Sequence, residues 1–172
     1  ASFRLLVEGL RESKIGEIKY PDANSTLRLT YGKVRSLPAD KRNDATVNNY
    51  TTLAGQVKKY KKGDLEFDLP ERVLQMNAAK DFGRYADKDG SLHVNFLTDN
   101  DITGGNSGSP VLNGKGELIG VAFDGNIEAM AGDVIFDKKL QRTINLDIRF
   151  VLWIIDKYAG AHNIIEEMTI IK

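Results

Sequence analysis

The stretch from Thr103 to Val111, Thr-Gly-Gly-Asn-Ser-Gly-Ser-Pro-Val, limits this chain more than any other, because glycines at 104, 105 and 108 surround Ser107. Lacking a Cβ, glycine takes backbone angles that other residues resist, so a tight loop can hold a serine outward with bare amides beside it. That is how a nucleophile is presented. Attack on a peptide carbonyl creates an oxyanion, and amides already aimed at it need no reorganisation, which makes the N–H groups of Gly105 and Ser107 the candidate oxyanion hole. The apolar pair Val111 and Leu112 then anchors the loop in a strand. A plain glycine-rich turn is the bland account of the same residues.

Composition removes several other classes. A length of 172 residues suits one domain with a sizeable core, or a large piece of a bigger protein. Lys plus Arg and Asp plus Glu both total 24, so no net field favours nucleic acid or an anionic membrane. The absence of cysteine excludes disulfides, thiol chemistry and Cys-type zinc sites, and is compatible with reducing and oxidising compartments alike. No Cys/His cluster or phosphate-binding glycine motif suggests a metal or an organic cofactor. The apolar run from Phe150 to Ile155 is bounded by Arg149 and Asp156 and is too short to span a bilayer.

The start, Ala-Ser-Phe-Arg-Leu-Leu-Val-Glu-Gly-Leu, has neither an initiator Met nor a signal-like apolar core, and reads as mid-protein. Leu5, Leu6, Gly9 and Leu10 recur near helical spacing with Arg4, Glu8, Arg11 and Glu12 outside, which predicts an amphipathic helix from residue 2 to about 14. Its break at Lys19-Tyr20-Pro21-Asp22 suggests the end of a helical region that precedes this chain.

From Ser25 to Arg35 the residues alternate, with Leu27, Leu29 and Tyr31 on one face and Thr26, Arg28 and Thr30 on the other, which predicts a strand. Residues 36 to 50 read as a loop, and 51 to 62 and 70 to 79 as short helices. The Lys58-Lys59-Tyr60-Lys61-Lys62 run reads as a solvated helix end. Residues 92 to 98 predict a strand carrying His93. His93 and His162 are the only histidines, and neither lies in a motif that would set an imidazole against Ser107.

A tight turn centred on Asn113-Gly114 or Gly114-Lys115 would place Ser107 opposite Gly120 or Ala122, with Asp124 a few residues along. Two extended residues span ~7 Å, about the distance from a scissile carbonyl back to the amino end of a dipeptide. Asp124 could therefore bind a free α-ammonium. Asp124-Gly125 as an ordinary turn dipeptide is the alternative.

Gly-Asn-Ser-Gly-Ser-Pro resembles the nucleophile loop of chymotrypsin-clan serine proteases, usually Gly-Asp-Ser-Gly-Gly-Pro, and the Asn113 to Val121 hairpin resembles the one that follows it there. Asn106 stands where zymogens of the trypsin type carry Asp, so activation by a buried new N-terminus is not expected. A closer resemblance lies in Tyr20-Pro-Asp-Ala-Asn-Ser-Thr-Leu-Arg-Leu-Thr-Tyr-Gly32, Lys80-Asp-Phe-Gly-Arg-Tyr-Ala86, the Ser107 loop, Phe123-Asp-Gly-Asn126 and the segment from Leu146 to Tyr158. Together these resemble the bacterial serine dipeptidyl-peptidase 7 and 11 family, on its dipeptidyl-peptidase 7 branch.

That resemblance implies a mixed, mainly β fold with helices: the C-terminal half of a chymotrypsin-like double β-barrel, in residues 20–172 with a helical tail, and the end of an inserted helical domain in residues 1–19. It implies release of dipeptides from free N-termini, with Ser107 as nucleophile, Asp124 holding the ammonium, Gly125 at the specificity pocket and Phe123 as a further substrate-binding residue. Acidic-preferring members carry Arg at the Gly125 position, whereas glycine suits large apolar side chains. The family's catalytic His and Asp lie in a first barrel that is not recognisable here, so the chain looks like a C-terminal fragment whose partners are peptide substrates and the remainder of its parent. A periplasmic or cell-surface bacterial location is also implied, and oligomeric state is left open, a homodimer included. An HtrA-like endopeptidase and a non-catalytic peptide-binding domain are the alternatives; Phe123-Asp-Gly-Asn126 and the helical tail argue against the first.

Overall fold

The computed structural model describes residues 2–13, 25–37, 49–132 and 136–171. The expected helix break at residues 19–22 and most of the loop expected between 36 and 50 lie outside them. The chain gathers into two compact units, one of residues 1–49, 97–109 and 122–144, the other of residues 50–96, 110–121 and 145–172.

In the first unit, the predicted N-terminal helix is present as α1 (Ser2–Ser13). Its apolar residues Phe3, Leu5 and Leu6 are exposed. The strand expected over residues 25–35 is corrected by the structure. Among the described residues its sheet pairing is confined to a bridge between Val34 and Thr98, flanked by bonds from the Arg35 amide to the Leu97 carbonyl (3.1 Å) and from the Asp99 amide to the Lys33 carbonyl (3.0 Å). Leu27, Leu29 and Tyr31 face solvent. Alternation specifies two faces, but a strand also needs a neighbour to take its backbone bonds, and sequence spacing does not supply one.

The second unit holds the main core, formed by Leu53, Val73, Met76, Phe82, Tyr85, Leu92, Val94, Leu152, Trp153 and Ile165. The first helix expected here is shorter than its pattern: Tyr50–Thr52 is strand β1, and α2 (Leu53–Val57) begins after it. Thr52 sets that boundary, its hydroxyl accepting from the Gly55 amide at 3.1 Å. Helix α3 (Glu71–Ala78) turns Val73 and Met76 into the core. At the far end, the Asp147 carboxylate caps α4 (Ile148–Trp153) by accepting from the Arg149 amide at 2.9 Å, and the helix runs on through a wider π turn over Ile154–Tyr158. This is the expected helical tail, with a short α5 (His162–Glu166) after it. Trp153 is fully buried and its indole N–H donates to the Asp81 carbonyl at 2.9 Å.

Five strands make a sheet in the order β1-β2-β5-β4-β3, with β2 at His93–Thr98, β3 at Pro110–Leu112, β4 at Leu118–Gly125 and β5 at Thr143–Asp147. The pairs β1/β2 and β3/β4 are antiparallel. The chain is thus a mixed fold of helices and antiparallel sheet, as expected; the sheet is open, with β1 and β3 at its edges.

Candidate active site

The Ser107 loop is closed from within by Asn106. Its side-chain oxygen accepts from the Thr103 amide at 3.0 Å, its own amide donates to the Thr103 carbonyl at 3.2 Å, and its carbonyl accepts from the Ser109 amide at 2.9 Å. Gly105 and Gly108 take φ values of +98° and +88°, which L side chains rarely adopt. Ser107 is exposed, and its hydroxyl donates to the Phe123 carbonyl at 3.2 Å. The amides of Gly105 and Ser107 have no acceptor among the described residues.

The register differs from the expected one. Asn113 to Gly116 form the turn, with the Gly116 amide donating to the Asn113 carbonyl at 3.0 Å, and Pro110 pairs with Val121 and Val111 with Gly120. The left-handed Gly116 (φ +79°) gives the hairpin a longer turn than the two-residue form. The pairing then shifts between Val111 and Leu112, since Leu112 faces Leu118, and shifts back at the loop, where the Gly108 amide donates to the Ala122 carbonyl (2.8 Å) and the Ala122 amide to the Ser109 carbonyl (2.9 Å), so both residues oppose Ala122. Ser107 therefore lies against Phe123, not Gly120 or Ala122, and Asp124 follows its strand neighbour directly.

Asp124 and Gly125 are the last residues of β4, not a free turn. The exposed Asp124 carboxylate accepts from the Gly125 amide at 2.8 Å. Beyond it, Asn126 and Arg142 clamp the chain. The Asn126 amide donates to the Arg142 carbonyl (3.0 Å), its side-chain oxygen accepts from the Arg142 amide (2.7 Å), and its side-chain nitrogen donates to the Leu140 carbonyl (2.9 Å). The buried Arg142 guanidinium spends its donors on the carbonyls of Ser36, Lys138, Gln141 and Lys139. Such a fork satisfies several loop carbonyls at once and fixes the segments carrying them.

The acids just before the serine have structural partners. Asp99 accepts from the Lys33 amide at 2.6 Å and pairs with Arg35 at 3.1 Å and Lys138 at 3.9 Å. Burial opposes its charge, yet the Lys33 amide and the Lys138 and Arg35 cations outweigh that and hold the carboxyl below its ordinary range. The Asp101 carbonyl accepts from the Thr30 hydroxyl at 2.7 Å. This unit contains no histidine. In the other unit, His93 stacks on Tyr50 with centroids 3.8 Å apart, its Nδ1 lies 3.0 Å from an Arg149 nitrogen and its Nε2 3.3 Å from Asp87. Arginine only donates, so Nδ1 accepts and the ring proton is on Nε2. His162 Nδ1 lies 2.8 Å from Asp156.

A family model described as Peptidase S46 matches residues 3–170. The chain belongs to the peptidase S46 family. This S46 chain is 69% identical over 172 residues to a dipeptidyl-peptidase 7 of Capnocytophaga gingivalis, covering 99% of the chain and 24% of that protein. It is 49% identical to an Asp/Glu-specific dipeptidyl-peptidase of the same organism, covering 95% and 23%. Among solved structures, it matches that of Porphyromonas endodontalis DPP11 in complex with the dipeptide Arg-Glu with a TM-score of 0.80 and 41% identity, over 93% of this chain and 23% of that one. The S46 chain spans about a quarter of the length of the curated relatives it matches. No helix among its described residues is long and apolar enough to cross a membrane.

Sequence reasoning missed Asn106 and Arg142, which close the Ser107 loop and clamp the end of β4. An Asn inside a glycine loop is a signal for side-chain closure of a turn and could have been read. Arg142 carried none, because its acceptors are backbone carbonyls, which no residue type marks, and one of them, that of Ser36, lies 106 positions away.

Proposed function

We propose that the protein to which this chain belongs is a serine exopeptidase that releases dipeptides from free N-termini. Ser107 attacks the second peptide carbonyl, forming an ester and expelling the shortened peptide once its amine is protonated; water then hydrolyses the ester and frees the dipeptide and the hydroxyl. The amides of Gly105 and Ser107 take the oxyanion. The carboxylate of Asp124 holds the substrate ammonium and so measures two residues. The single observation that carries this reading is the bond from the Ser107 hydroxyl to the Phe123 carbonyl, which sets the serine beside the residue preceding Asp124.

The general base and its acid come from elsewhere in the parent, since the Ser107 unit has no histidine and both histidines of the chain are engaged by Arg149, Asp87 and Asp156. Residues 1–19 are then the end of a helical domain and 20–172 a second barrel with its helical tail. The residue before the scissile bond is large and apolar: Gly125 adds no charge beside Asp124, and identity is higher to the dipeptidyl-peptidase 7 than to the Asp/Glu-specific enzyme of one organism. A periplasmic or cell-surface location fits an enzyme that degrades peptides to dipeptides.

The test is kcat/KM of the full-length parent on dipeptidyl substrates ending in Leu, Met, Asp and Glu, with N-acetylated controls. Cleavage of free Leu and Met substrates, and loss on acetylation, is expected. Equal cleavage of acetylated peptides would replace the exopeptidase with an HtrA-like endopeptidase, and no cleavage of any would leave a peptide-binding domain.

A further inference from the structure

Gly125 is less open than its missing side chain suggests. A methyl group placed on it would lie 2.7 Å from Ala129 Cβ and 3.7 Å from the Arg142 carbonyl oxygen. The first distance is well inside van der Waals contact, so residues 125 and 129 compete for one volume, which the Ala129 methyl borders.

Ala129 lies on the single turn Ile127–Ala131, and this turn is not free to retreat. The Ala129 amide donates to the Asn126 carbonyl at 2.8 Å, and the Gly132 amide to the Ala129 carbonyl at 2.8 Å. Asn126 is in turn held by Arg142 and Leu140, and its side chain also donates to Glu128 at 2.7 Å. A methyl on Gly132 would come within 2.9 Å of the Ala129 carbonyl, so the far side of the turn is tight as well. Beside Ala129, Ile127 and Met130 are 78% and 83% exposed. Exposed apolar side chains therefore follow closely where β4 ends, one residue after Asp124.

We propose that Ala129 is a second determinant of side-chain preference, read jointly with Gly125. With glycine at 125, the Ala129 methyl forms an uncharged wall of the pocket for the residue before the scissile bond, and its size limits how long an apolar side chain is accepted. Any side chain introduced at 125 requires that methyl to be removed or the turn to shift. This inference rests on the reading above that Gly125 borders that pocket.

The experiment uses the full-length parent and its Ala129→Leu, Ala129→Val, Gly125→Arg and Gly125→Arg/Ala129→Gly variants, with thermal melting of each. Separate kcat and KM values are measured on dipeptidyl substrates ending in Ala, Leu, Met and Asp. Ala129→Leu, and to a smaller extent Ala129→Val, should lower kcat/KM for Leu and Met about tenfold or more, chiefly through KM, while sparing Ala. Gly125→Arg alone should lose activity on all four, and the added Ala129→Gly should recover about tenfold toward Asp. Equal losses on all four substrates in a folded Ala129→Val variant, or a double variant no better than Gly125→Arg, would overturn the assignment. Failure of the underlying reading is separate: it would show as wild-type cleavage of N-acetylated substrates, or as activity remaining in Ser107→Ala.

Discussion

The hydroxyl of Ser107 donates to the carbonyl of Phe123 at 3.2 Å, which joins the serine loop to the strand residue immediately before Asp124. That one bond is exposed and worth only about 0.5–1.5 kcal/mol. Ser107→Ala in the parent should therefore abolish peptidase activity, by about 10³-fold or more, while moving the melting temperature little. Comparable activity in the variant would remove Ser107 from the chemistry.

Asp124→Asn keeps the shape and the Gly125 contact but discards the charge. Substrates with a free ammonium should all weaken by a similar factor, about 2–3 kcal/mol in kcat/KM, mainly through KM and without regard to the residue before the scissile bond. A variant that changed the Leu-to-Asp ratio and left KM alone would make Asp124 a selector and not a ruler.

Gly120 faces a crowded part of the second unit. A methyl there would sit 2.6 Å from the Leu146 carbonyl oxygen and 2.7 Å from the Phe96 ring. Gly120→Ala should cost about 1–3 kcal/mol by overpacking, read as a lower midpoint in denaturant with unchanged slope. A neutral substitution would show that strand β4 moves away from Leu146 at little cost.

Acid should weaken the second unit. Asp156 accepts from the Tyr85 hydroxyl at 2.7 Å and lies 2.8 Å from His162, and these two contacts, Tyr85 first, hold its carboxyl below the ordinary 3.8 despite some desolvation. Asp87 is lowered in the same direction by the Lys88 amide and then by Arg149. Depressed carboxylates bind fewer protons folded than unfolded, so their stabilisation is fully present above 3.8 and is lost as pH falls through the folded values. Melting temperature should fall more shallowly over that window in Tyr85→Phe than in wild type; parallel curves would mean that the Tyr85 bond does not set the Asp156 affinity for protons.

Features set by local chemistry were legible in the chain. The glycine spacing around Ser107 permitted a tight loop with left-handed backbone, which Gly105 and Gly108 adopt. Helix α1 followed from its apolar spacing, and the helical tail was implied by the family resemblance carried by Leu146 to Tyr158, with the structure adding the Asp147 cap. Each depends on residues within a few positions of one another, where rotation angles and short hydrogen bonds decide the outcome.

Other features needed neighbours that no spacing names. Leu27, Leu29 and Tyr31 alternate as a strand does, yet only Val34 bridges to another chain segment among the described residues. Ser107 meets Phe123 because the turn that ends at left-handed Gly116 sets the register, and the shift between Val111 and Leu112 is reversed by the one at Gly108-Ser109. The sequence alone determined that a serine would be displayed on a glycine loop before a hairpin; the tertiary structure decided which strand residue it touches and that Ala129 crowds Gly125. The physical reason is that backbone strain is a local quantity, whereas register and excluded volume are properties of two segments packed together.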